Sequence, residues 1–185
     1  MKRILCALLV LVLIVMGVTA CGEQPHPPET DLQTEAPETE ASLPDGYKKY
    51  DNGSVSFAYP SDWIEQDGST VILVNASGVG NNITVVYEAK NDFYKTMDAS
   101  DFEAQVQPVF EQMGMVISNV SVEQTENQSG LAITKISFLN TLSGAQMQQT
   151  LFVVAAGDRT YTITVTETTP DAPLIETVFN SLKVH

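Results

Sequence analysis

The stretch "LFVVAAGDRTYTITVT", Leu151 to Thr166, decides the fold. It holds two strand signatures around one turn. "LFVVAA", Leu151 to Ala156, is apolar without interruption, the pattern of a central strand covered on both faces. "TYTITVT", Thr160 to Thr166, alternates with period two. That spacing points Tyr161, Ile163 and Val165 into a core and four threonines outward. A solvated sheet surface is the default reading of those threonines, and a binding face is the alternative.

The flanking chain repeats the strand signal between turn residues. Ser54 to Tyr59 sets Val55, Phe57 and Tyr59 on one face. Val71 to Asn75 and Asn82 to Glu88 flank "ASGVGN", which reads as a hairpin loop. Further strands are expected within Met115–Glu123, Leu131–Leu139 and Met147–Ala156. Two helices interrupt them. Ser100 with Glu103 reads as a capping box, and Phe102, Val106, Val109, Phe110 and Met113 fall on one stripe before Gly114 stops the helix. Pro108 lies inside that stripe and predicts a kink or break near Gln107. The last helix is capped by Asp171 and carries Pro173 in its first turn. Its stripe is Leu174, Ile175, Val178, Phe179 and Leu182, with Lys183 at the negative end of the dipole. The whole predicts an α+β fold, a mostly antiparallel twisted sheet of about six to seven strands flanked by helices.

Upstream of this domain the chain changes character. Lys2 and Arg3 precede Ile4 to Val18, which is apolar apart from one Cys and one Gly. That run is shorter than the roughly 20 residues a bilayer span needs. A charged start, a short apolar core and small residues at its end describe a secretory signal. Val18-Thr19-Ala20-Cys21 resembles the lipobox of bacterial lipoprotein precursors. The resemblance implies a diacylglyceryl thioether on Cys21 and cleavage between Ala20 and Cys21. The competing readings are an ordinary cleaved signal with an incidental Cys, or a short membrane helix. Gly22 follows, so the Asp that would retain a diderm lipoprotein at the inner membrane is absent.

Gly22 to Asp45 has seven acidic residues and no Lys or Arg, with recurrent proline. Such a segment buries no core and is expected to remain a disordered, extended stalk. Its full reach is about 80 Å at 3.3–3.6 Å per residue. A recognition tail through Pro27-Pro28 is the alternative. Three parts are therefore expected: a signal over 1–20, a lipidated acidic tether over 21–45, and a folded domain over 46–185.

A family resemblance sits on the folded part. "VSFAYPSDW" (Val55 to Trp63), the long strands, "TYTITVT" and the closing "FNSLKV" (Phe179 to Val184) resemble the PsbP-like group. That group includes the extrinsic PsbP protein of photosystem II and small bacterial lipoproteins of DcrB-like type. Tyr59-Pro60 with Trp63 is the most specific element. The resemblance implies a PsbP-like sandwich, with no shared catalytic residues and no photosynthetic metal role.

Composition narrows the function. Of 185 residues 23 are acidic and 9 basic, for a net charge of -14. That balance argues against nucleic acid, whose phosphates demand Lys and Arg. Cys6 and Cys21 both lie at the start, which leaves the domain without disulfides, Cys-ligated zinc or a thiol nucleophile. Its one His is His185, and a frayed last residue is a poor catalytic base. Asp98, Asp101 and Glu103 gather where a helix dipole explains them; a weak calcium site there or over "NDFYKTMDASD" is the alternative, without the spacing of an EF-hand loop. Gly78-Val79-Gly80 lacks the rest of a phosphate-binding motif and reads as a turn. Asn52, Asn75, Asn82, Asn119 and Asn127 begin Asn-x-Ser/Thr triplets, read here as polar strand and turn residues. Tyr59-Pro60 with Trp63 offers either a ligand shelf or a turn anchored in the core.

The sequence thus predicts a membrane-anchored, extracytoplasmic, monomeric lipoprotein of the bacterial cell envelope, held by acylated Cys21. It is expected to bind or scaffold an envelope partner without enzymatic activity, cofactor, metal or nucleic acid. The alternative is a carrier or sensor of a small or lipidic ligand between sheet and helix, along Phe102 to Met113.

Overall fold

The computed structural model describes residues 43–66, 71–74 and 81–185. The signal, Cys21, the tether as far as Ser42, Asn75 and the loop containing Gly78-Val79-Gly80 lie outside the described residues. The described chain is α+β, with two antiparallel sheets and two α-helices.

The larger sheet has seven strands: β3 (Ile64–Gln66), β4 (Val71–Val74), β5 (Asn82–Ala89), β6 (Met115–Glu126), β7 (Ala132–Leu142), β8 (Ala145–Ala156) and β9 (Arg159–Glu167). Their spatial order is β3-β4-β5-β9-β8-β7-β6, antiparallel throughout. The uninterrupted apolar run of β8 lies inside the sheet, between β9 and β7, with Leu151 to Val154 buried. Ser143 and Gly144 both take positive φ and join β7 to β8 by the two-residue turn that matches strand twist.

The smaller sheet is missing from the sequence reading apart from its middle strand. Its order is β1 (Tyr47–Asp51), β2 (Val55–Pro60) and β10 (Lys183–Val184). Val55, Phe57 and Tyr59 point as expected into a core formed against Phe152, Val154, Tyr161, Ile163 and Val165. The second helix, α2 (Ala172–Ser181), packs Leu174 and Val178 into the same core. Asp171 caps it, its side chain accepting the Leu174 N–H at 3.1 Å. Asn127 ties the β6–β7 turn to this layer. Its amide is buried, donates to Phe179 O (3.1 Å) and Leu182 O (2.8 Å), and accepts the Leu131 N–H at 3.1 Å.

The opposite face carries α1 (Ala99–Gln112). Phe102, Val106 and Phe110 pack with Ile136, Phe138, Leu151 and Val153. Two expectations about α1 need correction. The cap is Asp98, not Ser100: its Oδ1 accepts the Asp101 N–H at 2.8 Å, and Asp101 reaches back to the Asp98 N–H. The helix also runs through Pro108 without a break. Pro108 and Ala104 are both exposed, so the carbonyl that the missing N–H leaves unpaired turns to water rather than to the core. Pro108→Ala should accordingly stabilise the fold by about 1–3 kcal/mol, read as a higher urea midpoint. Gly114 ends the segment at φ +74°, where a side chain would be strained.

Glu167 closes β9 and is buried. Burial raises its carboxyl above the ordinary value, the Asp171 N–H (2.6 Å) lowers it, and the Asp171 charge raises it further. A raised acid favours folding fully below its unfolded pKa and loses that contribution as pH rises through the folded one. Glu167→Gln keeps an oxygen for the Asp171 N–H. Its Tm should exceed wild type by about 2 °C at neutral pH. The gain should vanish in acid below the carboxylate range.

Candidate functional site

Three places concentrate polar chemistry. The first is a cleft of about 510 Å³ where Leu43 and Pro44 meet β2 and α2. Lys49, Ser56, Thr177, Ser181 and Lys183 line it. β10 is so short that the β2 edge facing it has no strand partner beyond Ser56, and Ser181 Oγ takes up the Ala58 N–H at 2.8 Å. Here the sequence reading of His185 is overturned, because this residue is not frayed. Its N–H donates to Ser54 O at 2.9 Å and its Nε2 lies 2.9 Å from Ser56 Oγ. Asp51 Oδ2 is 3.8 Å from the same nitrogen. No sequence signal marks this serine, histidine and carboxylate, since 129 residues separate Ser56 from His185.

The geometry is not that of a charge-oriented nucleophile. A catalytic histidine uses one ring nitrogen for the serine and the other for the carboxylate. Ser56 and Asp51 face the same nitrogen instead. Asp51 is also committed elsewhere, to Lys49 at 2.7 Å and to the Gly53 N–H at 2.9 Å. The Lys49 ammonium holds the Asp51 carboxyl below its ordinary range. Ser56 is only 1% exposed, which leaves little of it for a substrate. The group fastens β10 against β2.

The second place is a groove of about 650 Å³ on the large sheet, along β6, β7 and β8. Its walls include Asn91, Tyr94, Gln124, Thr134, Val153 and Thr160. A 3-10 turn (Asp92–Lys95) lies over it, capped by Asn91, whose side chain accepts the Phe93 N–H at 3.1 Å. Gln124 donates to Tyr94 O (2.9 Å), and Thr134 Oγ1 lies 2.8 Å from Gln124 Oε1. Thr160 Oγ1 accepts the Asn91 N–H at 2.9 Å. Burial, reinforced by the Glu88 carboxylate, pushes the Tyr94 phenol up and keeps it neutral.

The third place corrects the opening reading. The threonines of β9 do not face water: Thr160, Thr164 and Thr166 are buried and Thr162 half-buried. They share a face with Thr84 of β5 and Gln149 of β8, which stand opposite Thr164 and Thr166. Among the described residues four buried side-chain oxygens lack a hydrogen-bond partner: Thr84 Oγ1, Asn140 Oδ1, Gln149 Oε1 and Thr164 Oγ1.

The other expected sites resolve into structure. Tyr59 and Trp63 are core residues; Lys48 donates to Trp63 O at 2.7 Å and lies 5.0 Å from the Tyr59 ring. The apolar stripe of α1 is filled by protein, with Phe138 at 5.4 Å from Phe102 and 5.8 Å from Phe110 between ring centres. The space assigned to a ligand under that helix is therefore part of the core. Asp98 and Asp101 serve as cap, and Asp92 pairs with Lys95 at 2.8 Å. Among the described residues no group of three or more His, Cys, Asp or Glu gathers as a metal site. No described helix is long and apolar enough to cross a membrane.

The chain matches no known family profile, and no curated protein resembles it. Several solved structures are similar to it over part of their length. One is a Bacteroides thetaiotaomicron protein, 18% identical, with a TM-score of 0.45 over 71% of this chain and 45% of that one. This chain thus spans less than half of that protein. A Pseudomonas aeruginosa protein of unknown function is 17% identical, with a TM-score of 0.37 over 69% and 86%. LpqN of Mycobacterium tuberculosis, involved in cell envelope biogenesis, is 11% identical, with a TM-score of 0.39 over 75% and 90%. At these identities and scores none lends its function to this chain.

Proposed function

We propose that this chain is a lipid-anchored lipoprotein of the bacterial cell envelope, whose PsbP-like domain binds an extracytoplasmic partner without catalysing a reaction. One observation carries the proposal: Val18-Thr19-Ala20-Cys21 directly after the apolar run, followed by an acidic tether. Two acyl chains on one cysteine give stable anchoring, where one is marginal. The non-enzymatic reading is supported by the cleft at Ser56, where the nearest carboxylate faces the wrong ring nitrogen for catalysis. The PsbP-like assignment is supported by an antiparallel sheet with helices on both faces.

Photo-crosslinking of the full chain in intact cells tests the partner. One discrete adduct that forms with the anchored protein supports the proposal. A ladder without a discrete adduct overturns it. Protease added outside the cells should digest the domain while a cytoplasmic marker survives, and protection of both would refute the extracytoplasmic address.

A further inference from the structure

The turn that joins β1 to β2 holds the pair Asn52-Gly53. The Asn52 side chain folds over this turn. Its Oδ1 accepts the Ser54 N–H at 3.0 Å and the Val55 N–H at 2.9 Å. Two N–H donors at such distances polarise a carbonyl and stabilise the oxyanion that forms when it is attacked. The next nitrogen along the chain is that of Gly53. Its N–H donates to Asp51 Oδ1 at 2.9 Å, so a carboxylate already holds the proton that attack would release. The pair with Lys49 uses the other oxygen, Oδ2. The Asn52 amide also hydrogen-bonds the Tyr50 phenol. Burial raises that phenol above its ordinary range, so it is neutral and has a proton to give.

The turn is open to water. Asn52 and Gly53 are exposed, and a Cβ built on Gly53 would meet nothing within 4 Å. Glycine also leaves its own nitrogen unshielded by a side chain. Asn127 shows what this combination adds. Its Oδ1 likewise accepts two N–H groups, those of Ser129 and Leu131. Its nitrogen, however, is fixed between Phe179 O and Leu182 O, which have no proton to give. Asn127 is also buried, and Gln128 follows it in place of a glycine.

We propose that Asn52-Gly53 is a self-modification site, at which the turn converts Asn52 through a succinimide into aspartyl and isoaspartyl forms. Gly53 N attacks Asn52 Cγ and passes its proton to Asp51 Oδ1. The new C–N bond forms, the bond from Cγ to Nδ2 breaks, and the nitrogen leaves as ammonia with the Tyr50 proton. The proton held on Asp51 returns to the phenol through water. A second water then opens the ring at either carbonyl. The product carries a new carboxylate beside Asp51, and the isoaspartyl form lengthens the turn by one backbone carbon. The step is intramolecular and happens once per chain, so it stands apart from partner binding and from enzymatic turnover.

The test is peptide mapping by mass spectrometry of the full chain incubated at neutral pH, folded and in guanidinium chloride. In the folded chain residue 52 should convert about tenfold faster than in the denatured one. Asp51→Ser keeps an oxygen for the Gly53 N–H but no base. Tyr50→Phe keeps the ring that packs 5.0 Å from Phe57 but no hydroxyl. Each should bring the folded rate down to near the denatured one and leave the denatured rate unchanged, with circular dichroism confirming the fold. A wild-type rate no faster folded than denatured would show that the turn shields Asn52, and would overturn the proposal. So would a folded rate that survives either substitution in a chain that still folds.

Discussion

Cys21→Ala is expected to abolish incorporation of labelled palmitate completely and to move the protein out of the mature membrane fraction. The thiol is the only nucleophile in "VTACGE" that can carry a thioether-linked diacylglyceryl group. Each buried methylene contributes about 0.8 kcal/mol, so two long acyl chains on Cys21 would anchor the protein stably where one would be marginal. Nothing in the following tether replaces them, since seven acidic residues and no basic one repel an anionic bilayer. Fractionation and metabolic labelling read the result. The variant should be recovered either soluble or as uncleaved precursor. Recovery of mature, membrane-bound Cys21→Ala protein would refute the lipoprotein reading.

Phe138→Ala should cost about 3–5 kcal/mol, a large part of the 5–15 kcal/mol that holds an ordinary domain together. Phe138 has no exposed surface and lies on β7 directly beneath α1. Its ring meets Phe102 at 43° and Phe110 edge-on at 85°. Its loss therefore removes two ring contacts as well as the buried area. Phe138 shares the support of α1 with Ile136, Leu151 and Val153 and touches two of the helix's three packed side chains. Urea denaturation monitored by circular dichroism would measure the loss. A change below about 1 kcal/mol would mean that α1 closes over the gap.

Why β8, β9 and α2 could be read from the sequence while the small sheet could not is a matter of where burial comes from. "LFVVAA" advertises its place because burial on both faces needs apolar residues at every position. Asp171 and Pro173 announce α2 through chemistry confined to a few adjacent residues. β1, "YKKYD", and the two-residue β10 carry no such signal and exist by pairing with β2. The threonines misled for another reason. Their hydroxyl classes them as polar, but a β-branched side chain packs on a sheet much as valine does. Alternation in β9 separated two kinds of buried face, not a wet one from a dry one. The Ser56–His185 contact was illegible because only β10 pairing brings these residues together.

The closure of β10 on β2 also has a geographical meaning. The bond between His185 and Ser54 closes the same three-stranded sheet that begins at Tyr47, near the first described residues. A fluorescent protein or affinity handle appended at residue 185 would sit beside Leu43 and Pro44, where the described chain begins. One inserted at Ser143-Gly144, in the turn between β7 and β8, would ride in the large sheet, away from that stitch. For this molecule, the far end of the polypeptide is the near end of the domain.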